Sequence, residues 1–309
     1  MIGGESASTP LTASFPTPEP IDLRLTLAPL RHGSGDPTIR IGPDGVWLAR
    51  RTAAGPATLR LRTDDDAGAI RAEAWGPGAP AALEAAPGLA GLLDDPSPLE
   101  PRHPLIRELQ RRFAGLRLPR TGQLVPALLP AVIEQKITAG EAHATYAAIV
   151  RRFGEPAPGS AGLLLAPAAA RLAALPYFEF HPLGLERRRA ELLALIGRRE
   201  SDIEALTTLR PDEAFERLQT LRGIGPWTAA EATRIAFGDP DAVSLGDAHL
   251  PDLVSWALAG EPRADDARML ELLAPYQGQR ARVIRLLEIS RIKIPRFGPR
   301  FAPRRIGRL

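Results

Sequence analysis

The 309-residue sequence predicts an α+β protein, with a small antiparallel β-sheet domain first and an all-helical region after it. Two observations carry this. Through the first part of the chain apolar residues alternate with polar ones, the period of half-buried strands. From about Pro104 they recur every three to four positions, the period of helices. A third observation bounds the class: 44% apolar and 24% charged residues, with no apolar run of about 18, describe a globular chain with no membrane-spanning helix.

Ile21, Leu23, Leu25 and Leu27 alternate with Asp22, Arg24 and Thr26 and predict the first strand. Residues 38–41 and 46–52 flank the turn signal Pro43-Asp44-Gly45 and predict a hairpin. Leu59 and Leu61, then Ile70, Ala72 and Ala74, alternate with charged neighbours. Together these segments make an antiparallel sheet of four or five strands with one apolar face. Residues 1–20, rich in Ser, Thr and Pro, lack the features of a secretory signal and are expected to be a disordered lead. The sheet domain is placed at 21–103. Its Pro-, Gly- and Ala-rich end, residues 76–101, is a connection with room for one short helix.

Residues 104–290 form the helical region. Helices are expected at 105–113, 123–137, 140–153, 168–175, 185–197, 203–207, 211–221, 227–237, 250–258, 264–273 and 279–290, punctuated by Pro, Gly and Asp. Segment 123–137 is apolar on most sides and predicts a central, buried helix.

The chain has no cysteine, which excludes disulfides, thiol nucleophiles and cysteine-ligated zinc or iron–sulfur centres, and fits a reducing cytoplasm. Net charge is only +3, yet Arg291, Lys293, Arg296, Arg300, Arg304, Arg305 and Arg308 are all basic, with no acid among them. Residues 291–309 are thus a separate basic tail, suited to a polyanion or simply solvated.

The most informative stretch is Leu221-Arg222-Gly223-Ile224-Gly225-Pro226-Trp227-Thr228-Ala229-Ala230, set between two expected helices. Two glycines permit a tight turn, and Pro226 opens the second helix. Gly-Ile-Gly lets a partner approach the backbone closely, and the amides at the helix start favour phosphate oxygens. Such a contact reads no base sequence. Gly223, Ile224, Gly225 and Thr228 are the candidate residues for a DNA backbone. An ordinary Gly-rich turn is the alternative. Further on comes Gly246-Asp247-Ala248-His249-Leu250, with Asp247 lying 22 positions after Gly225. Asp is a good helix N-cap, so Asp247 has a capping role available beside any chemical one.

The hairpin and the Asp247 segment together resemble the helix-hairpin-helix DNA glycosylases. The resemblance implies two helical lobes with an active cleft between them, and Asp247 as the catalytic carboxylate. It implies double-stranded DNA as partner, with a Na+ or K+ ion at the carbonyls of Gly223 and Ile224, and no catalytic metal or redox cofactor. Relatives that also cut the strand carry Lys where this chain has Trp227. Trp227 therefore implies a monofunctional enzyme similar to the 3-methyladenine DNA glycosylase II branch, which excises alkylated purines. Gln135 and Lys136 resemble the family's segment beside the lesion and fall where a side chain wedges into the gap, although some relatives have Leu at the second position. A polar helix end is the plain alternative for both. Tyr177, Phe178, Trp227 and Trp256 are candidates for a base pocket, since aromatic faces attract a cationic base; core packing is their alternative. A monomer acting in the cytoplasm at the nucleoid, with no membrane partner, completes the expectation. Two rivals remain: a non-catalytic DNA-binding protein that keeps the hairpin, and a glycosylase for deaminated or oxidised bases.

Overall fold

A computed structural model describes residues 9–295. Five tail arginines, Arg296, Arg300, Arg304, Arg305 and Arg308, lie outside the described residues. No helix among the described residues is long and apolar enough to cross a membrane.

The chain opens with strand β1 (Leu11–Pro16), where a disordered lead was expected. Ala13 and Phe15 turn inward from β1, and Phe15 packs on the sheet's core. Asp22 begins a second departure from expectation. Its carboxylate accepts from the amides of Arg24 and Leu25 and caps a short helix, α1 (Leu23–Leu27), in place of the predicted strand. The alternating leucines misled because Leu23 and Leu27 also stand four apart, on one helical face, where both are buried with Thr26. Leu25 instead faces a different core.

Strands β2 (Ile39–Gly42), β3 (Gly45–Thr52), β4 (Gly55–Asp64) and β5 (Ala69–Trp75) follow. The sheet is antiparallel with order β1-β5-β4-β3-β2. Pairing of Gly42 with Gly45 leaves Pro43 and Asp44 as the two-residue loop of the predicted hairpin. Leu48, Leu59 and Ala74 share one face, which packs on α2 (Ala79–Leu89). The opposite face is covered as well, contrary to the expected single apolar face. On it Trp47 and Trp75 stack with ring centroids 5.3 Å apart, beside Ala161 and Leu163.

The helices make two lobes, and the chain visits one of them twice. Helix α3 (Pro104–Arg112) packs its Ile106 and Leu109 into the core of the second lobe. The chain then builds the first lobe from α4 (Val125–Ile133), α5 (Ala139–Phe153), α6 (Ala169–Ala174), α7 (Tyr177–Phe180), α8 (Arg187–Arg198), α9 (Glu200–Ala205), α10 (Pro211–Gln219) and α11 (Pro226–Phe237). A two-stranded ribbon, β6 (Glu155–Pro156) with β7 (Leu164–Leu165), interrupts them. The chain returns to the second lobe with α12 (Leu250–Ala259), α13 (Asp266–Leu273) and α14 (Arg280–Ser290).

Helix α4 is the buried central helix, but it is shorter than the predicted 123–137. At its start the Glu204 carboxylate accepts from the amides of Leu124 (3.0 Å) and Val125 (2.8 Å). Burial pushes the Glu204 carboxyl above the usual range, and these two amide bonds pull the other way. At its end Lys136 takes a left-handed backbone, φ 58°, so Gln135 and Lys136 stand on a turn after the helix.

Candidate active site

The hairpin is the turn between α10 and α11. Ile224 is only 4% exposed; its side chain anchors the turn in the first lobe's core. Gly223 has φ +101°, and a Cβ there would stand 3.1 Å from Leu192, so the turn requires glycine. Around a Cβ built at Gly225, in contrast, there is open space. The Gly225 backbone is therefore bare on its outer side. The amides of Gly225, Trp227 and Thr228 make no backbone hydrogen bond among the described residues. They lie at the positive end of the 12-residue α11 and suit an anionic oxygen.

Thr228, like Ile224, does not face outward. The Thr228 side chain is 2% exposed, and its hydroxyl accepts from Gln135 Nε2 at 2.9 Å. Its amide remains at the helix start, but its side chain belongs to the interior. The same Gln135 nitrogen donates to the Gly223 carbonyl at 3.1 Å. Gln135 is thus a strut between the end of α4 and the hairpin, half-buried rather than projecting as a wedge. It also occupies one lone pair of the Gly223 carbonyl, leaving a single one for a cation. Lys136, next to it, is exposed.

Asp247 lies on the loop that leaves α11 and crosses to the second lobe. Val243 and Leu245 of this loop pack on the second lobe's core. Gly246, at φ +83°, turns the chain, and its amide donates to Asp266 Oδ2 at 2.8 Å. Asp247 Oδ1 then accepts from the amides of His249 (2.7 Å) and Leu250 (2.9 Å), while Oδ2 accepts from Trp227 Nε1 at 2.9 Å. Helix α12 begins at Leu250, where the expected 250–258 helix starts. Asp247 thus satisfies two amides at the helix start although His249 is the N-cap residue, and this does not exhaust the group. Of about four lone-pair sites on a carboxylate, three are engaged, and one on Oδ2 stays open on a partly exposed side chain.

Trp227, expected in a base pocket, acts as a clamp: its indole N–H holds the Asp247 carboxylate. For the base release that the sequence resemblance implies, Trp227→Phe, which keeps the ring bulk and removes the donor, is expected to lower the rate by about tenfold, because small misplacements of a reacting group are costly. Affinity for DNA is expected to hold. Single-turnover rates beside binding isotherms would check both.

The other aromatic candidates do not join this cluster. Tyr177 and Phe178 are 41% and 60% exposed and contact each other edge-on at 6.0 Å, with Arg187 4.9 Å over the Tyr177 ring. They form an external pair, not the wall of an enclosed pocket. Trp256 lies half-buried on α12 and makes no hydrogen bond or ring contact with Trp227 or Asp247 among the described residues. Arg189, in a basic run that could have faced DNA, is buried and donates to the Ile133 carbonyl at 2.6 Å. The acids near Asp247 are all engaged: Asp241 pairs with Arg280, Asp239 accepts from the Asp241 amide, and Asp252 accepts from the Ala264 amide. Burial raises the Asp239 carboxyl, and the neighbouring Asp241 adds to it.

Ser244, Glu231 and Asp266 escaped sequence reasoning. The Ser244 hydroxyl donates to Glu231 Oε1 at 2.5 Å, tying the Asp247 loop to α11 a second time. Glu231 stands four residues after Trp227, and this helical spacing was the one available signal.

No protein-family model matches the sequence, and no curated protein matches it. Solved structures do. A 3-methyladenine DNA-glycosylase from Archaeoglobus fulgidus is similar at TM-score 0.75 and 20% identity, over 90% of this chain and 98% of that one. An 8-oxoguanine glycosylase/lyase from Clostridium acetobutylicum is similar at TM-score 0.65 and 14% identity, over 87% and 92% of the two chains. A Schizosaccharomyces pombe 3-methyladenine DNA glycosylase, in complex with abasic DNA, gives TM-score 0.50 and 16% identity over 65% and 97%. With its antiparallel sheet, its two helical lobes and the hairpin opening α11, the chain has the fold of the helix-hairpin-helix DNA glycosylases.

Proposed function

We propose that this protein is a monofunctional DNA glycosylase that removes damaged purines, alkylated ones above all, from double-stranded DNA. One observation carries the reading: a carboxylate held at three points, by Trp227 and by the His249 and Leu250 amides at the start of α12, on the loop that follows the hairpin's second helix. The free amides at the start of α11 hold a phosphate, the damaged nucleotide leaves the stack, and its sugar comes to rest beside Asp247. As the N-glycosidic bond breaks, positive charge develops on the sugar. The Asp247 carboxylate stabilises that charge and orients or deprotonates the attacking water. A single carboxylate suffices for a base that already carries positive charge, because such a base departs without protonation. Strand cleavage would need an amine nucleophile where Trp227 stands. A Na+ or K+ ion at the free lone pairs of the Gly223 and Ile224 carbonyls would add a positive charge facing the phosphate.

A panel of duplexes carrying 3-methyladenine, 7-methylguanine, hypoxanthine, ethenoadenine, uracil or 8-oxoguanine tests this. Release of the methylated purines, leaving intact abasic strands, is the expected result. Release of 8-oxoguanine alone would sink the alkylation assignment, and strand scission without added base would sink the monofunctional one. No release from any duplex would leave a DNA-binding protein that keeps the hairpin.

A further inference from the structure

The strand-gripping amides and the Asp247 loop are connected through α11, and α11 holds the loop by two side-chain hydrogen bonds among the described residues. One is Trp227 to Asp247; the other is Ser244 to Glu231. Trp227 and Glu231 are four residues apart and so share one face of the helix. The two ties therefore run along a single line that starts at the hairpin.

We infer that Ser244 and Glu231 are positioning residues for Asp247, fixing the distance between the gripped phosphate and the carboxylate; this rests on the proposed base excision. Ser244 is 3% exposed, so its hydroxyl has no water to turn to and needs the partner that Glu231 supplies. Glu231 is itself fixed from the far side, its Oε2 accepting from Arg234. Burial works against the Arg234 charge, but the carboxylates of Glu231, Glu288 and Glu134 more than reverse this and raise the guanidinium above its ordinary value. Arg234 is thus a permanent cation that orients Glu231. Asp247 lies three positions after Ser244, and the turn at Gly246 falls between them. When the Ser244 tie is lost, the loop pivots about Gly246 with Trp227 as its remaining hold on α11. Core packing of Val243 and Leu245 keeps the loop on the second lobe in that case, so folding and DNA binding persist while aim is lost.

The experiment uses the full chain on duplex DNA methylated with dimethyl sulfate. Single-turnover release of methylated bases is measured beside the dissociation constant for a duplex carrying a tetrahydrofuran abasic analogue. Misplacement by about 1 Å can cost on the order of a hundredfold, so Ser244→Ala is expected to slow release about tenfold with the dissociation constant unchanged. Ser244→Thr, which restores the hydroxyl, is expected to recover most of the rate. Glu231→Gln keeps an acceptor but a neutral, weaker one, and is expected to give a smaller loss confined to the rate. Glu231→Gln also carries the test if Ser244→Ala fails to fold. Release at the wild-type rate by Ser244→Ala and Glu231→Gln overturns the inference and leaves the proposed function standing. Equal losses of rate and affinity, unrescued by Thr, also overturn it, because they mark a purely structural contact. No release by the wild-type protein overturns the proposed function itself, and this inference with it.

Discussion

Asp247→Asn is expected to abolish base release while leaving DNA binding intact. The amide is the same size as the carboxylate, and its Oδ1 can still accept from the His249 and Leu250 amides. The helix cap therefore survives. The Nδ2 group, however, would face the Trp227 indole N–H, placing two donors against each other where a donor now meets an acceptor. The negative charge that would stabilise the cationic sugar is gone as well. Removing one preorganised electrostatic contact commonly costs on the order of 10² to 10³ in rate, and here the charge and its alignment go together. Single-turnover release with enzyme in excess, compared with anisotropy on an abasic-site duplex, would separate the two effects. Release by Asp247→Asn at the wild-type rate would show that the chemistry resides elsewhere.

Asp94→Ala is expected to destabilise the whole protein. Asp94 and Arg282 form a bidentate ion pair, at 2.6 and 2.9 Å, with side chains only 6% and 3% exposed. Asp94 Oδ2 also accepts from the Leu118 amide, and the Arg282 Nε–H donates to Gln279. The pair thus fastens the segment leaving the sheet domain to α14 of the second lobe. Removing one member leaves the other charged, buried and unpaired, which costs about 3–5 kcal/mol. In a chain of 309 residues each kcal/mol corresponds to roughly 1.5 °C, so calorimetry should show a fall in Tm of about 5–8 °C. The double replacement Asp94→Leu with Arg282→Met is expected to recover much of that loss, because both charges leave together. A Tm unchanged by Asp94→Ala would mean that Arg282 finds solvent in the folded protein.

Local patterns in this chain identify elements well where one period dominates. Turn and cap residues mark β2 through β5 and most helices to within a few residues. Local pattern failed at Leu23–Leu27, where leucines spaced by two are also spaced by four, and a cap from Asp22 decides for helix. It failed again at β1, whose inward residues acquire meaning only beside the open edge of β5. The tight turn at Gly223 and Gly225 and the place of Asp247 just before a helix were legible because backbone conformation and helix starts are encoded in short sequence spans. The exposure of Tyr177 and Phe178 and the burial of the Thr228 side chain were not legible, because exposure is a property of the packed lobe.

The sequence alone determined the order of sheet and helices, the hairpin's tight turn, and the placement of an Asp at a helix start 22 residues beyond it. These are matters of local period and dihedral preference. Only the tertiary structure decided what Asp247 touches. Trp227 lies 20 residues away from it and Glu231 13 residues from Ser244, and these partners meet because two lobes, each with its own core, meet across one loop. Long-range packing sets those distances, and no run of neighbouring residues encodes it.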